Sequence, residues 1–219
     1  MKFRLSPRWL FAFCCLLMAL DLGRVWAQSN LTPAKPPSAP PLTRVSDIHA
    51  LSENDAALGH PVRVQGVVTF YGGPPVLFVQ DPTGGIYVQM ASADPGLISG
   101  ELVEVKGITG HGWFANQIEK AEIRILGRAP LPEPLHPRFE DLSLGSDDGQ
   151  WVDITGIVHS TQVQEPSRRL VLSVAVGGGR VSVAIQNYRP SVLTNLVDTK
   201  IRVQGACGGI FNRRLGRAG

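Results

Sequence analysis

From residue 61 the chain is written in short runs of alternating apolar and polar side chains, each bounded by turn residues. "VRVQGVVTF", "VLFVQD", "GIYVQM", "ELVEVKGIT" and "AEIRIL" follow one another between Val62 and Leu126. Val62, Val64 and then Val67 change face across Gly66, and Leu102, Val103 and Val105 are interleaved with Glu101, Glu104 and Lys106. Successive side chains of a strand point to opposite faces, so these runs predict half-buried strands. "DPTGG" between the second and third runs predicts a hairpin turn. Ahead of the strands, "SDIHALSENDAAL" carries helix-start chemistry, with Ser52 and Asp55 three residues apart in the manner of a capping box.

About ninety residues later the pattern returns. "WVDITGIVHS" repeats "PVRVQGVVTF", and "RLVLSVAV", "RVSVAIQ" and "TKIRVQGACG" follow, with "GGG" as the hairpin turn. Gly66 matches Gly156, Gly85 falls near Gly179, Gly107 matches Gly205 and Phe114 matches Phe211. "RFEDLSLGSDDGQ" takes the place of the lead-in helix. A period of this length marks a duplicated structural unit. Five short strands with a glycine inside the first are what a small, partly open barrel requires, because that strand must bend to serve two sheets. The expected fold is therefore all-β: two consecutive OB-like small barrels with short lead-in helices. An immunoglobulin-type sandwich would want about seven strands per unit. The second copy stops short of a counterpart to the fifth strand, so it is expected to lack its last strand. Either the product is cut short, or another segment or chain supplies the missing edge.

These boundaries divide the chain into a leader over 1–27, a proline-rich tether over 28–41, barrel 1 over 42–129, a hinge over 130–138 and barrel 2 over 139–219. The leader has a basic start (Lys2, Arg4, Arg8), an uncharged run from Trp9 to Leu20, and "VWA" before Gln28. That is the layout of a secretory signal peptide; the run is short of the roughly 20 residues a membrane anchor needs. Retention as an anchor is the alternative. An exported chain is the expectation, periplasmic or extracellular.

Cleavage after Ala27 changes the charge picture. The full chain holds 21 basic and 18 acidic residues; the leader takes four of the first and one of the second, leaving 17 of each. A neutral mature chain offers no bulk attraction for nucleic acid or anionic membrane, so nucleic acid is not an expected partner. Cys14 and Cys15 leave with the leader, and Cys207 alone cannot form an intramolecular disulfide. It reads as a small buried apolar residue.

The ordered set "LTRVSDIHALS", "GHPVRVQGVVTFY", "LFVQDPTGGIYVQM", "GELVEVKGITGHGWFA", "GRAPLP" and "WVDITGIVHS" resembles the exported N-terminal region of certain bacterial sensor histidine kinases. The resemblance covers most of residues 42–212. It implies an extracytoplasmic input module, of the kind that precedes a membrane helix, PAS and kinase domains in those receptors. None of those later parts is present in this sequence, so no kinase role passes to any residue here.

Candidate chemistry is sparse. The five histidines (His49, His60, His111, His136, His159) form no metal-ligand spacing, and Asp147 and Asp148 lack the alternating oxygens of a calcium loop. No nucleophile elbow or phosphate loop appears. The chain is therefore read as non-enzymatic, with no cofactor and no metal. Aromatic residues are the better candidates, since OB barrels use stacking platforms on their strands. Phe70 and Phe78 are expected in the core; Tyr71 and Tyr87, each with a polar end, fit the surface and the core equally well. Trp113 and Phe114 in "GHGWFANQ" are expected at the barrel mouth, as a binding loop or a plug. Arg63 stands alone as a cation on the first strand. The candidate ligand-binding set is thus Tyr71, Tyr87, Trp113, Phe114 and Arg63, and the expected ligand is a small molecule, glycan or protein, in the context of a membrane-embedded receptor. Two alternatives stand beside this: an exported oligonucleotide- or oligosaccharide-binding OB protein, and a structural protein that pairs through its open strand edge.

Overall fold

The computed structural model describes residues 40–91, 96–112, 115–166, 168–186, 188, 195–212 and 216–218, with side chains described up to 209. The leader and most of the tether lie outside the described residues. Among the described residues, no helix is long and apolar enough to cross a membrane.

Barrel 1 opens with two short helices, α1 (Val45–His49) and α2 (Glu53–Ala56). The Ser52–Asp55 signature does what the sequence predicts: Ser52 Oγ accepts from the Asp55 amide at 3.1 Å and donates to its carboxylate at 2.7 Å. For α1 the cap comes from elsewhere in the chain. Its first amide, on Val45, donates to Asp81 Oδ2 at 2.9 Å, and the Ser46 amide donates to Thr83 Oγ1 at 3.0 Å. The other oxygen of Asp81 accepts from the amides of Thr83 (2.7 Å) and Gly84 (3.0 Å). One buried carboxylate thus folds the "DPTGG" turn and satisfies orphan donors at a helix start.

Five strands follow: β1 (Pro61–Tyr71), β2 (Leu77–Asp81), β3 (Gly84–Met90), β4 (Glu101–His111) and β5 (Asn116–Arg128). They close in the order β1-β2-β3-β5-β4, with β3 and β5 parallel and the other pairs antiparallel. This is the strand order of an OB-like barrel. Val62 to Val67 pair with β4, and Val67 to Tyr71 pair with β2, so β1 turns the corner beside Gly66. The reason for glycine there is space. A Cβ on Gly66 would lie 2.7 Å from both the Gln80 carbonyl oxygen and Val79 Cγ1. Val45, Ile48, Val64, Val68, Leu77, Val79, Ile86, Val88, Val103, Val105 and Ile118 form a fully buried core inside the barrel.

The second unit repeats the plan. Leu135 bridges to Val152 in parallel, as Leu42 does to Val62, so the proline-rich connection already contributes a rung to it. Helix α3 (Phe139–Leu144) ends on Gly145 in the left-handed conformation, the usual helix-ending role for glycine. Strands β6 (Trp151–Gln164), β7 (Arg169–Val176), β8 (Gly179–Ile185) and β9 (Lys200–Ala206) form a sheet in the order β8-β7-β6-β9. β6 turns its corner at Gly156, where a Cβ would collide with the Ala175 carbonyl oxygen and come 2.6 Å from Val174 Cγ1. The core is smaller, built on Val158, Leu170, Leu172, Val174 and Val181. β10 (Ile210–Asn212) and β11 (Gly216–Ala218) pair only with each other. No described strand joins β8 to β9, so the sheet is open where β5 closes barrel 1.

Register refines the glycine matches. Val176 pairs with Gly179 as Asp81 pairs with Gly84, so Gly179 corresponds to Gly84, and Arg180 to Gly85. Gly84 packs near Val45, the first residue of α1, and Gly179 packs on Phe139, the first residue of α3.

Candidate functional site

The outward face of β1, β2 and β3 carries an aromatic row. On β2, Leu77 and Val79 are buried and Phe78 points outward; on β3, Ile86 and Val88 are buried and Tyr87 points outward. The ladder places Phe70 opposite Phe78, and Phe78 opposite Tyr87. The ring centroids of Phe70 and Phe78 are 6.5 Å apart, and those of Phe78 and Tyr87 are 5.5 Å apart, tilted by 54° and 67°. These are the spacings at which rings attract edge to face.

Phe70 and Phe78 are therefore not core residues, contrary to the sequence expectation. A register shift between Val68 and Phe70 explains the first. The extra residue, Thr69, reverses the alternation, so Phe70 turns outward and Tyr71 packs against the barrel core. Tyr71 is thereby separated from Tyr87, which stays in the row. Phe78 was legible from its flanks, since Leu77, Val79 and Asp81 share the opposite face; the bulge carries no comparable signal.

The row is tied down and walled. Tyr87 Oη donates to the Pro75 carbonyl at 3.0 Å, fixing the ring to the β1–β2 loop, and burial raises its phenol pKa. Gly208 faces Phe78, where a Cβ would lie 3.1 Å from Cζ. Further along the same face, the Trp151 amide donates to Gln80 Oε1 at 2.8 Å, and Gly85 and Gly149 touch backbone to backbone. The second unit thus covers one flank of the β2–β3 surface. Phe70, Phe78 and Tyr87 remain half-buried.

Arg63 belongs to a different cluster, on the outward face of β1, β4 and β5. Its Nε donates to Glu104 Oε2 at 2.9 Å; Arg124 approaches Oε1 at 3.2 Å and Lys106 approaches it at 3.7 Å. Glu104 is 1 % exposed beneath them, and its pKa is lowered, first by the Arg63 hydrogen bond. Arg63 therefore serves a buried carboxylate and takes no part in the aromatic row. The second unit inverts the arrangement. Asp153 occupies the position of Arg63, and Arg202 that of Glu104, by strand register. Arg202 grips Asp153 through Nε (2.8 Å) and Nη2 (2.6 Å), and Gln204 adds a bond at 2.9 Å. The Arg202 hydrogen bond leads in holding the Asp153 pKa down at about 2.

Trp113 and Phe114 lie outside the described residues. The Gly112 amide donates to Ala115 O at 2.9 Å. Among the described residues no three His, Cys, Asp or Glu side chains gather as metal ligands. His49 Nε2 lies 3.0 Å from the Gly85 carbonyl oxygen, and His111 Nδ1 lies 3.2 Å from Asn116 Oδ1. Asp148 accepts from the Gly209 amide at 2.8 Å, and Cys207 is half-buried with its main chain bonded to Gly149 and Gln150. Among the described residues, a concavity of about 430 Å³ lies beside Leu170 and Leu196, and another of about 560 Å³ lies beside Arg44 and Arg63.

No family model matches this chain, and no curated protein does. Among solved structures it is similar to a murine DNA-binding protein bound to double-stranded DNA, at 14 % identity over 65 % of this chain and 84 % of that one, with a TM-score of 0.33. It is likewise similar to a HINa domain in complex with double-stranded DNA, at 9 % identity over 67 % of this chain and 96 % of that one, with a TM-score of 0.33. TM-scores this low leave DNA binding as a property of those proteins; the OB-like assignment rests on strand order.

Proposed function

We propose that this chain is a non-enzymatic binding module whose first barrel takes a carbohydrate on the Phe70–Phe78–Tyr87 row. The row itself carries the reading: three rings, side by side on the β1–β2–β3 face that OB barrels use for oligosaccharides and oligonucleotides. Its polar neighbours favour a glycan over a nucleic acid. Gln89 is an exposed neutral amide on the outward face of β3, while Gln80 holds the Trp151 amide through Oε1 and Arg63 is committed to Glu104. A single-stranded nucleic acid needs a positive track beside its stacking rings. The exported, receptor-like setting belongs to the same proposal and is supported by the leader and by the sequence resemblance to sensor input regions.

A glycan microarray followed by calorimetric titration of the best binder tests this. On the scale of base–aromatic stacking, about 1–3 kcal/mol per ring, Tyr87→Ala or Phe70→Ala is expected to weaken binding by about 5- to 140-fold. Undiminished affinity in both variants, or no glycan bound at all, refutes the assignment. Oligonucleotide binding that falls steeply with salt and is lost in Tyr87→Ala would transfer the same face to the nucleic-acid alternative.

A further inference from the structure

We propose that the concavity beside Arg44 and Arg63 on barrel 1 is an oxyanion site that holds the phosphate or sulfate group of a small molecule. Its walls are the lead-in segment at Thr43 and Arg44, the outward positions Arg63 and Gln65 of β1, and the β2–β3 turn at Asp81 and Thr83. These walls are fixed to one another. The Leu42 amide donates to the Pro61 carbonyl and the Leu42 carbonyl accepts from the Arg63 amide, both at 2.8 Å. On the other side, Asp81 and Thr83 hold the amides of Val45 and Ser46. The concavity is thus preformed, and its volume of about 560 Å³ lies in the range of small-molecule sites.

The donors it presents are free, and its acceptors are not. Arg63 gives Nε to Glu104, and its two Nη nitrogens have no partner among the described residues. The side chains of Thr43, Arg44 and Gln65 are exposed and have none either. By contrast, Asp81 accepts four hydrogen bonds: from the Val45 amide on one oxygen, and from the amides of Thr83 and Gly84 and the Thr83 hydroxyl on the other. The first amides of α1 are taken by Asp81 and Thr83 and form no part of the site. What a ligand meets is therefore two guanidinium groups, an amide and a hydroxyl.

Charge specifies the ligand. The second unit shows what a buried pair on this face requires: Asp153 is matched by one guanidinium, with the neutral Gln204 beside it. In barrel 1 Glu104 is answered by Arg63, Arg124 and Lys106, which leaves positive charge in surplus. Glu122 on the same face is the register partner of Lys106 and does not line the concavity. Arg44 adds a second cation at the rim. Each guanidinium can grip a pair of oxygens. A phosphate or sulfate has edges for both and an oxygen left for the Gln65 amide, whereas a single carboxylate has one edge only.

Thermal unfolding and calorimetric titration of the full chain with inorganic phosphate and inorganic sulfate, at ionic strength matched with sodium chloride, test the site. A ligand bound by the folded state raises Tm, but both anions also stabilise proteins generally by exclusion from their surfaces. Arg44→Ala separates the two effects, since an exposed side chain without a partner is expected to leave the anion-free Tm unchanged. Phosphate is expected to bind this variant at least about tenfold more weakly. Arg44→Lys, which keeps the charge and loses the fork, is expected to fall between, and Gln65→Ala to weaken binding in the same direction. Tyr87→Ala is expected to leave phosphate affinity unchanged, which keeps this test apart from the glycan reading. A hexose phosphate that binds more tightly than inorganic phosphate would mark a soluble ester as the source of the group; Arg44-dependent capture by phosphatidic acid vesicles would mark a lipid head group. Equal gains in Tm for the parent and Arg44→Ala, equal phosphate affinities, or no binding of either anion each overturns the proposal.

Discussion

Replacing Gly66 by alanine tests the corner on which barrel 1 turns. The added Cβ would stand 2.7 Å from the Gln80 carbonyl oxygen and 2.7 Å from Val79 Cγ1, where ordinary contact begins at 3.4 Å. One strand must therefore retreat by about 0.7 Å, and the atom in the way is main chain, which no rotamer change can move. Overpacking of this kind costs about 1–3 kcal/mol. Alanine returns about 0.4–1 kcal/mol by restricting the unfolded chain, since Gly66 does not need a left-handed backbone. The net expectation is a loss of about 1.5 kcal/mol, or about 6–12 °C in Tm for a unit of this size. Calorimetry and urea unfolding read it directly. Gly156→Ala meets the same kind of obstruction and is expected to destabilise the second unit in turn. A Gly66→Ala protein that melts at or above the parent temperature would refute the close-approach account and return the glycine to a purely conformational role.

Other substitutions carry equally definite outcomes. Gly107→Ala, whose Cβ would lie 2.6 Å from the Glu119 carbonyl oxygen, is expected to destabilise by about 1–3 kcal/mol. Gly205→Ala, whose Cβ would meet nothing within 4 Å, is expected to cost nothing, and equal melting temperatures would contradict the difference in their surroundings. Acid should find Asp153: its pKa is depressed to about 2, so the stability it provides is complete above about 4 and is lost as pH falls toward 2. Asp153→Asn is expected to flatten the urea midpoint of the second unit across that window, and an unchanged pH profile would count against the ion pair. Arg63→Asp alone should weaken barrel 1, while Arg63→Asp with Glu104→Arg, the polarity the second unit already uses, should recover much of the loss in a double-mutant cycle. Asp81→Ala removes acceptors from the Val45 and Gly84 amides and should cost about 1–3 kcal/mol, with faster exchange at those two amides as the specific signature.

The duplicated strands were legible because alternation and glycine placement are local properties. Val62, Val64, Leu102 and Val105 announce their strands with no help from distant residues, and Ser52 announces its helix. The candidate site was less legible because it depends on parity. A single extra residue at Thr69 exchanged the faces of Phe70 and Tyr71, and neighbouring letters do not record a bulge. Arg63 looked isolated on its strand, because its partner Glu104 lies 41 residues away and is brought beside it only by the β1–β4 ladder. The dual duty of Asp81, turn and helix cap at once, likewise depends on a contact the local sequence cannot show.

The touching glycines at 85 and 149 bear on how such modules can be strung together. They let the second unit lie backbone against backbone on the β3 surface of the first. On the second unit the matching position is Arg180, an exposed cation with a long side chain. A third barrel arriving by the same route would meet that side chain where the second met only hydrogen. The mode of stacking is therefore polar: the first copy offers a glycine to the unit that lies on it, and the second copy offers an arginine at the same register position.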